Sequence, residues 1–236
     1  MSHPYALAVH GGAGRWPEDR LEPTLEGVRR AAQAARRILA AGGTALDAVV
    51  EAVAALEDDP LFNAGTGAAL NAAGEAEMDA AVASGTGFGA VAALAGVRNP
   101  VRVARKVMEE TDHLLLAGEG ARRFARAMGF ASHDPVTAER RAEYLKWREE
   151  GVAPEGDPPL RLRGLLERHP ELAGGTVGAV ARDRNGSLAA ATSTGGLFHK
   201  LPGRVGDTPV PGAGTFASSQ AAASATGHGE TILRVL

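Results

Sequence analysis

The chain opens with a short apolar run, Ala6 to His10, that ends in His10-Gly11-Gly12-Ala13-Gly14. A run this short, closed by glycines, predicts a buried strand feeding a tight loop. Leu25, Val28, Ala32, Ala35 and Leu39 then recur at helical spacing, and Gly42-Gly43 stops the helix they predict. Thr44, with Asp47 three residues on, resembles a capping box with Asp in the place of Glu. It starts a second helix whose apolar face is Leu46, Val49, Val50, Val53 and Leu56. Two consecutive helices of this kind predict one layer laid over a sheet.

Asp58 to Gly67 has loop chemistry around a buried Leu61-Phe62 pair. Strands are predicted around Glu75–Val82 and Gly89–Val97. Asn99-Pro100 opens a helix with proline in its first turn. A brief strand follows at Leu114–Leu116, then a helix over Glu119–Met128. Residues 131–175 change character. Charges crowd Arg140 to Glu150, and Pro154, Pro158 and Pro159 break the stretch, which predicts a polar linker with transient helix. After it, Thr176–Asp183 is strand-like, Asn185-Gly186 is a hairpin turn, and Ser187–Ser193 is the return strand. Glycines at 195, 196, 203, 206, 212 and 214 punctuate the remainder before a final helix near Gly229–Leu236.

Composition narrows the function classes. The 236 residues are 44% hydrophobic and 22% charged, an ordinary globular mix. A net charge of −3 gives no basic field for nucleic acid or an anionic membrane. With 31 glycines and only 4% aromatics, the core must be Ala, Val and Leu with close backbone approaches. There is no cysteine, which removes disulfides, thiolate metal sites and a cysteine nucleophile together. No signal peptide is recognisable, and no apolar run approaches the ~20 residues that span a bilayer. A cytoplasmic protein is therefore expected.

Phosphate-loop, His-Glu-x-x-His and Gly-x-Ser-x-Gly signatures are absent, and the seven histidines show no paired ligand spacing. A phosphate-binding role for the His10–Gly14 loop lacks both the strand–glycine–helix context and a partnering lysine. Asn185-Gly186-Ser187 matches a glycosylation sequon but reads more simply as the hairpin turn.

The strongest constellation is Gly174-Gly175-Thr176-Val177-Gly178. If the Gly175–Thr176 bond is cut, Thr176 becomes an N-terminus. Its α-amine, with a pKa of about 7.7–8, can then serve as general base for its own hydroxyl. Gly175 lacks a Cβ and can hold a strained geometry with its carbonyl open to attack. On this pentapeptide alone an ordinary strand-start threonine is the simpler reading. The neighbours reverse that. In a hairpin turning at Asn185-Gly186, Thr194 falls close to Thr176 across the pair. Arg204 offers a planar fork for a carboxylate, and Asp207 a counter-charge for an ammonium. Thr226-Gly227, at a helix start, is a candidate oxyanion hole.

These motifs resemble the plant-type L-asparaginases, also called isoaspartyl peptidases or β-aspartyl-peptidases, which are N-terminal-nucleophile hydrolases. The resemblance runs through His10–Gly14, Pro60–Gly65, Met78-Asp79-Ala80, Arg98-Asn99-Pro100, Gly118–Gly120, Gly175–Val180, Thr192–Gly196, Gly203–Asp207 and Thr226–Glu230. It implies that Thr176 is both cleavage site and nucleophile, with Thr194 supporting its activation. Arg204 would hold the substrate α-carboxylate, Asp207 and the Gly229 carbonyl its α-amine, and Thr226 with Gly227 the oxyanion. Asn63 would lie near the nucleophile in the substrate-binding set. The loop from Leu56 to Ala68 resembles a structural sodium site built from backbone carbonyls, and no catalytic cofactor is implied.

The implied fold is α+β, a four-layer αββα sandwich. Residues 1–175 form the α-subunit part of a single domain, with the polar linker at 131–175, and 176–236 form the β-subunit part. Two αβ units would make a homodimer acting on L-asparagine and β-aspartyl dipeptides. The related glycosylasparaginases, a second reading, fit less well at Gly175, Gly195-Gly196 and His228. Family members continue beyond the helix that follows Thr226. A shortened chain lacking its last elements is therefore expected, with an unprocessed or inactive scaffold as the alternative reading.

Overall fold

The computed structural model describes residues 4–14, 16–85, 87–149 and 175–236. Strands are β1 (Ala6–His10), β2 (Met78–Ser84), β3 (Gly87–Leu94), β4 (Leu115–Ala117), β5 (Val177–Arg182), β6 (Leu188–Thr194), β7 (Thr215–Ala217) and β8 (Ala222–Ser224). Helices are α1 (Glu18–Ala40), α2 (Ala45–Glu57), α3 (Pro100–Glu110), α4 (Gly118–Ala127), α5 (Ala138–Glu149) and α6 (Gly229–Leu233).

Six strands form the main sheet in the order β1-β5-β6-β2-β3-β4. Neighbours are antiparallel except β3 and β4. The β5–β6 hairpin is therefore central, inserted between β1 and β2 from the first part of the chain. Alternation along these strands assigns the two faces. Val177, Ala179, Ala181, Ala189 and Ala191 join the hydrophobic core under the helices. Thr176, Gly178, Thr192 and Thr194 turn the other way, toward the two-stranded sheet of β7 and β8, which lies over β5, β6 and β2.

The capping box forms as expected. Asp47 N–H donates to Thr44 Oγ1 at 3.0 Å, and the Thr44 hydroxyl donates back to Asp47 Oδ2 at 2.7 Å. The hairpin turn forms too, with Asp183 and Ser187 paired across it and Gly186 at φ 85°.

Helix α1 differs from its sequence pattern. Its buried line is Thr24, Gly27, Ala31, Ala35 and Leu39, while Leu25 is 41% exposed. The reason is Phe62, whose fully buried ring lies where side chains at Gly11 and Gly27 would stand. A large ring from a distant loop thus selects the glycine face of the helix. The strands and the last helix also end elsewhere than expected: β2 and β3 are shifted by two or three residues, and α6 stops at Leu233.

The stretch read as linker contains a formed helix, α5. Arg140 Nε donates to Gly67 O at 2.8 Å, and its guanidinium lies 4.7 Å from the Phe198 ring centre. Trp147 stacks on His199 at 3.9 Å. Aromatic and cation–π contacts turn this charge-crowded segment into a docked helix. The proline-rich part, with Gly174 of the cleavage motif, lies outside the described residues.

Candidate active site

The hairpin register pairs Val177 with Ser193 and Gly178 with Thr192, so Thr176 meets Thr194 one step beyond the ladder's end. Both threonines are buried, and both line one pocket together with Gly196, Leu197, Arg204, Gly206, Asp207, Gly227 and Gly229. Six expected site residues therefore converge: Thr176, Thr194, Arg204, Asp207, Gly227 and Gly229. Thr226 is not among the pocket-lining residues but reaches the backbone of Thr176. The Thr176 N–H donates to Thr226 Oγ1 at 3.3 Å. Gly175 is pressed against Gly12, where a Cβ would come within 2.6 Å of the Gly175 Cα. Gly12 sits at φ 118°, a left-handed conformation that favours glycine.

Arg204 and Asp207 are arranged differently from expectation. The Arg204 fork already holds a carboxylate, that of Glu230, through Nε–Oε1 at 2.8 Å and Nη2–Oε2 at 2.7 Å. Burial raises the Glu230 carboxyl, but the paired guanidinium outweighs this and the net shift is downward. The third nitrogen, Arg204 Nη1, lies beside Gly196 and Gly206, both on the pocket wall. Asp207 does not pair with Arg204. Its Oδ2 is buried with no hydrogen-bond partner, and burial raises its carboxyl pKa.

Asn63 does not line the pocket. Its Nδ2 donates to Gly196 O at 2.7 Å, and its Oδ1 accepts from Ala69 N at 2.7 Å. Its own carbonyl accepts from Gly195 N at 2.9 Å. The residue clamps the 58–68 loop to the Gly195-Gly196 turn, and it acts on the pocket wall through that turn. The reason is steric: Asn63 Oδ1 occupies the space a side chain at Gly195 would need.

Two buried charges behind the pocket carry no expected role. Asp79 Oδ1 accepts from Ala93 N at 2.8 Å, and Oδ2 accepts from Gly206 N at 3.2 Å. Lys200 Nζ donates to Glu77 O at 2.7 Å and lies next to Gly196. Burial raises the Asp79 carboxyl and lowers the Lys200 ammonium, each partly offset by the other's charge. Sequence signals existed for both. Asp79 is a charge inside an apolar strand, and Lys200 is one of three lysines in the chain. Glu230 was part of a recognised motif, but nothing local showed that it faces Arg204.

In the 56–68 loop, side chains on Gly65 and Gly67 would run into the Glu57, Pro60 and Phe62 carbonyls. Gly65 is at φ 54° and Gly67 at φ 99°.

A buried threonine at the end of a sheet strand shares one pocket with a guanidinium, a carboxylate and glycine backbone, an arrangement that fits amide hydrolysis. Comparison with known proteins agrees. A family model described as asparaginase matches residues 3–236, so the chain belongs to the asparaginase family, whose fold is that of the N-terminal-nucleophile hydrolases. It is 52% identical over 233 residues to the plant-type L-asparaginase of Pyrococcus abyssi, covering 98% of this chain and 76% of that protein. It is 50% identical to the plant-type L-asparaginase of Thermococcus kodakarensis, with the same coverage. It is 46% identical to the isoaspartyl peptidase/L-asparaginase of Danio rerio, covering 97% of this chain and 72% of that protein. Among the described residues no helix is long and apolar enough to cross a membrane.

Proposed function

We propose that the chain is a self-processing amidohydrolase that releases ammonia from L-asparagine and cleaves β-aspartyl dipeptides. The observation that carries this reading is the convergence of Thr176, Gly227, Arg204 and the partnerless Asp207 on one pocket. Relatives bearing the L-asparaginase and isoaspartyl peptidase names support the same chemistry.

In processing, Thr176 Oγ attacks the Gly175 carbonyl carbon, and the peptide C–N bond breaks as the acyl group shifts from nitrogen to oxygen. Water then hydrolyses the ester, which leaves Gly175 with a carboxylate and Thr176 with a free α-amine. In turnover that amine takes the hydroxyl proton, and Oγ attacks the side-chain amide carbon. The Thr226 hydroxyl and the Gly227 N–H stabilise the oxyanion. Ammonia leaves with the proton the amine had taken, and water releases aspartate from the ester. Arg204 Nη1 orients the α-carboxylate; Asp207 with the Gly229 carbonyl orients the α-amine. Thr194, beside Thr176, supports its activation.

The same reading extends to the assembly. Cleavage divides the chain into 1–175 and 176–236. The helical layer and two sheets belong to a four-layer αββα sandwich, and two αβ units pair as a dimer. A sodium ion held by carbonyls of the Leu56–Ala68 loop would stiffen the segment that Asn63 ties to the pocket wall. The deciding experiment is denaturing electrophoresis with N-terminal sequencing. Wild type yields two fragments, one beginning at Thr176, whereas Thr176→Ala stays intact and inert. An Ala variant that still splits at 175–176 overturns the reading.

A further inference from the structure

One rung deeper in the sheet than the catalytic threonines lies a chain of three polar side chains with no role in the chemistry above. His10 Nε2 is 2.9 Å from Ser224 Oγ, and Ser224 Oγ is 2.8 Å from Thr192 Oγ. The Thr192 hydroxyl is 3.2 Å from Gly214 O. The proton directions follow by elimination. A carbonyl can only accept, so Thr192 donates to Gly214. With its single proton committed, Thr192 accepts from Ser224. Ser224, its proton committed in turn, accepts from His10. His10 is therefore the Nε2–H tautomer, which matches a Nδ1 that has no partner.

The placement of this chain explains its use. His10 and Thr192 both pair with Gly178, one from each neighbouring strand. Gly178 carries no side chain, and Ser224 Oγ stands where its Cβ would be. Two residues further along each segment, past the ends of β1, β5 and β8, the same pattern repeats as the catalytic rung. Gly12 follows His10, Thr194 follows Thr192, Thr176 precedes Gly178, and Thr226 follows Ser224. As Ser224 sits over Gly178, Thr226 sits over Thr176. Only Ala225 separates Ser224 from Thr226, and its N–H donates to Gly214 O at 2.9 Å, so a shift of β8 at one rung carries to the other. β8 belongs to a separate small sheet that shares no ladder with β5. The polar rung therefore supplies a directional link between them.

We infer that His10, Ser224 and Thr192 are positioning residues that lock β8 over the β5–β6 hairpin and so hold Thr226 in register with Thr176. This rests on the reading of Thr176 as nucleophile and Thr226 as oxyanion donor. The rung touches no substrate. Its loss misplaces the oxyanion donor and leaves Arg204 and Asp207 where they are.

The test uses Thr192→Val, which keeps shape but removes the hydroxyl, with Thr192→Ser as rescue. Ser224→Ala serves as an independent break that removes one oxygen. Processing rate, kcat and KM for asparagine, and Tm are measured, with turnover normalised to the amount of released Thr176 N-terminus. The expected result is a kcat and processing rate lowered at least about tenfold, KM within about twofold, and recovery in Thr192→Ser. Folded Thr192→Val or Ser224→Ala that processes and turns over within twofold of wild type overturns the inference. So does a loss that appears in KM alone or that Thr192→Ser fails to restore. Thr176→Ala in parallel separates the two claims. If it is inert while the rung variants behave as wild type, only the positioning role fails. If Thr176→Ala itself cleaves, the nucleophile assignment fails.

Discussion

Arg204 and Glu230, 26 residues apart, form a two-bonded guanidinium–carboxylate pair at the wall of the pocket. Arg204 is 16% exposed and Glu230 40% exposed, so as an ion pair it adds little stability. Its effect is orientation. The pair fixes the plane of the guanidinium so that Nη1 lies against Gly196 and Gly206 on the pocket wall.

Removing Glu230 should therefore act on substrate binding. Glu230→Ala is expected to raise KM for asparagine roughly tenfold and change kcat by less than about threefold, as expected for a lost charge-assisted bond. Arg204→Lys should lose more than about tenfold in kcat/KM. An ammonium cannot grip Glu230 with two parallel bonds and face the pocket together. Steady-state kinetics decide the matter; a wild-type KM in Glu230→Ala would refute the orienting role.

Asp207 Oδ2 is buried without a hydrogen-bond partner among the described residues. Asp207→Asn should lower kcat/KM for asparagine about ten- to a hundredfold. For succinamic acid, which keeps the amide and a carboxylate but lacks the α-amine, wild type should be poor and the variant no poorer. Equal losses on both compounds would remove the ammonium assignment.

Glu57 sets a limit at alkaline pH. Burial pushes its carboxyl up to about 8 from 4.5, despite the Val101 N–H bonded to Oε1 at 2.9 Å. The native state keeps a proton that the unfolded chain releases above pH 4.5. The stabilisation is complete below pH 4.5 and fades as pH rises through about 8. Glu57→Gln keeps the acceptor and offers a donor toward Ser193. Its Tm should pull ahead of wild type across this window, by an amount that corresponds to at most about 1.4 kcal/mol per pH unit. A constant Tm difference from pH 4 to 9 would contradict a titrating Glu57.

His199 acts at the acid side. Stacked on Trp147 with both ring nitrogens unpartnered, it has a pKa lowered by burial from 6.5 to about 4. The unfolded chain binds the proton first, so stability is lost as pH falls from 6.5 toward 4. Burial lowers the His10 pKa in the same direction. His199→Phe keeps the stack and should flatten this part of the Tm–pH curve. An unchanged acid slope would show that His199 does not titrate there.

The sequence by itself determined what local chemistry controls. Apolar period and turn residues located β1, α2, the Asn185-Gly186 hairpin and the strand that follows Thr176. The hairpin's fixed register then brought Thr194 to Thr176. The residue types of the pocket were legible because each motif is contiguous. What only the tertiary structure decided are the polar partnerships between distant segments. These are Glu230 in the Arg204 fork, Asn63 bonded to Gly196, Asp79 bonded to Gly206, and the run from His10 through Ser224 to Thr192. Such bonds depend on which strands become neighbours, here β1 beside β5 and β2 beside β6. A hydroxyl or carboxylate has the same local signature whether water or a strand from the other end of the chain satisfies it. The docking of α5 had the same origin: its charges read as linker until Phe198 and His199 supplied the rings against which Arg140 and Trp147 pack.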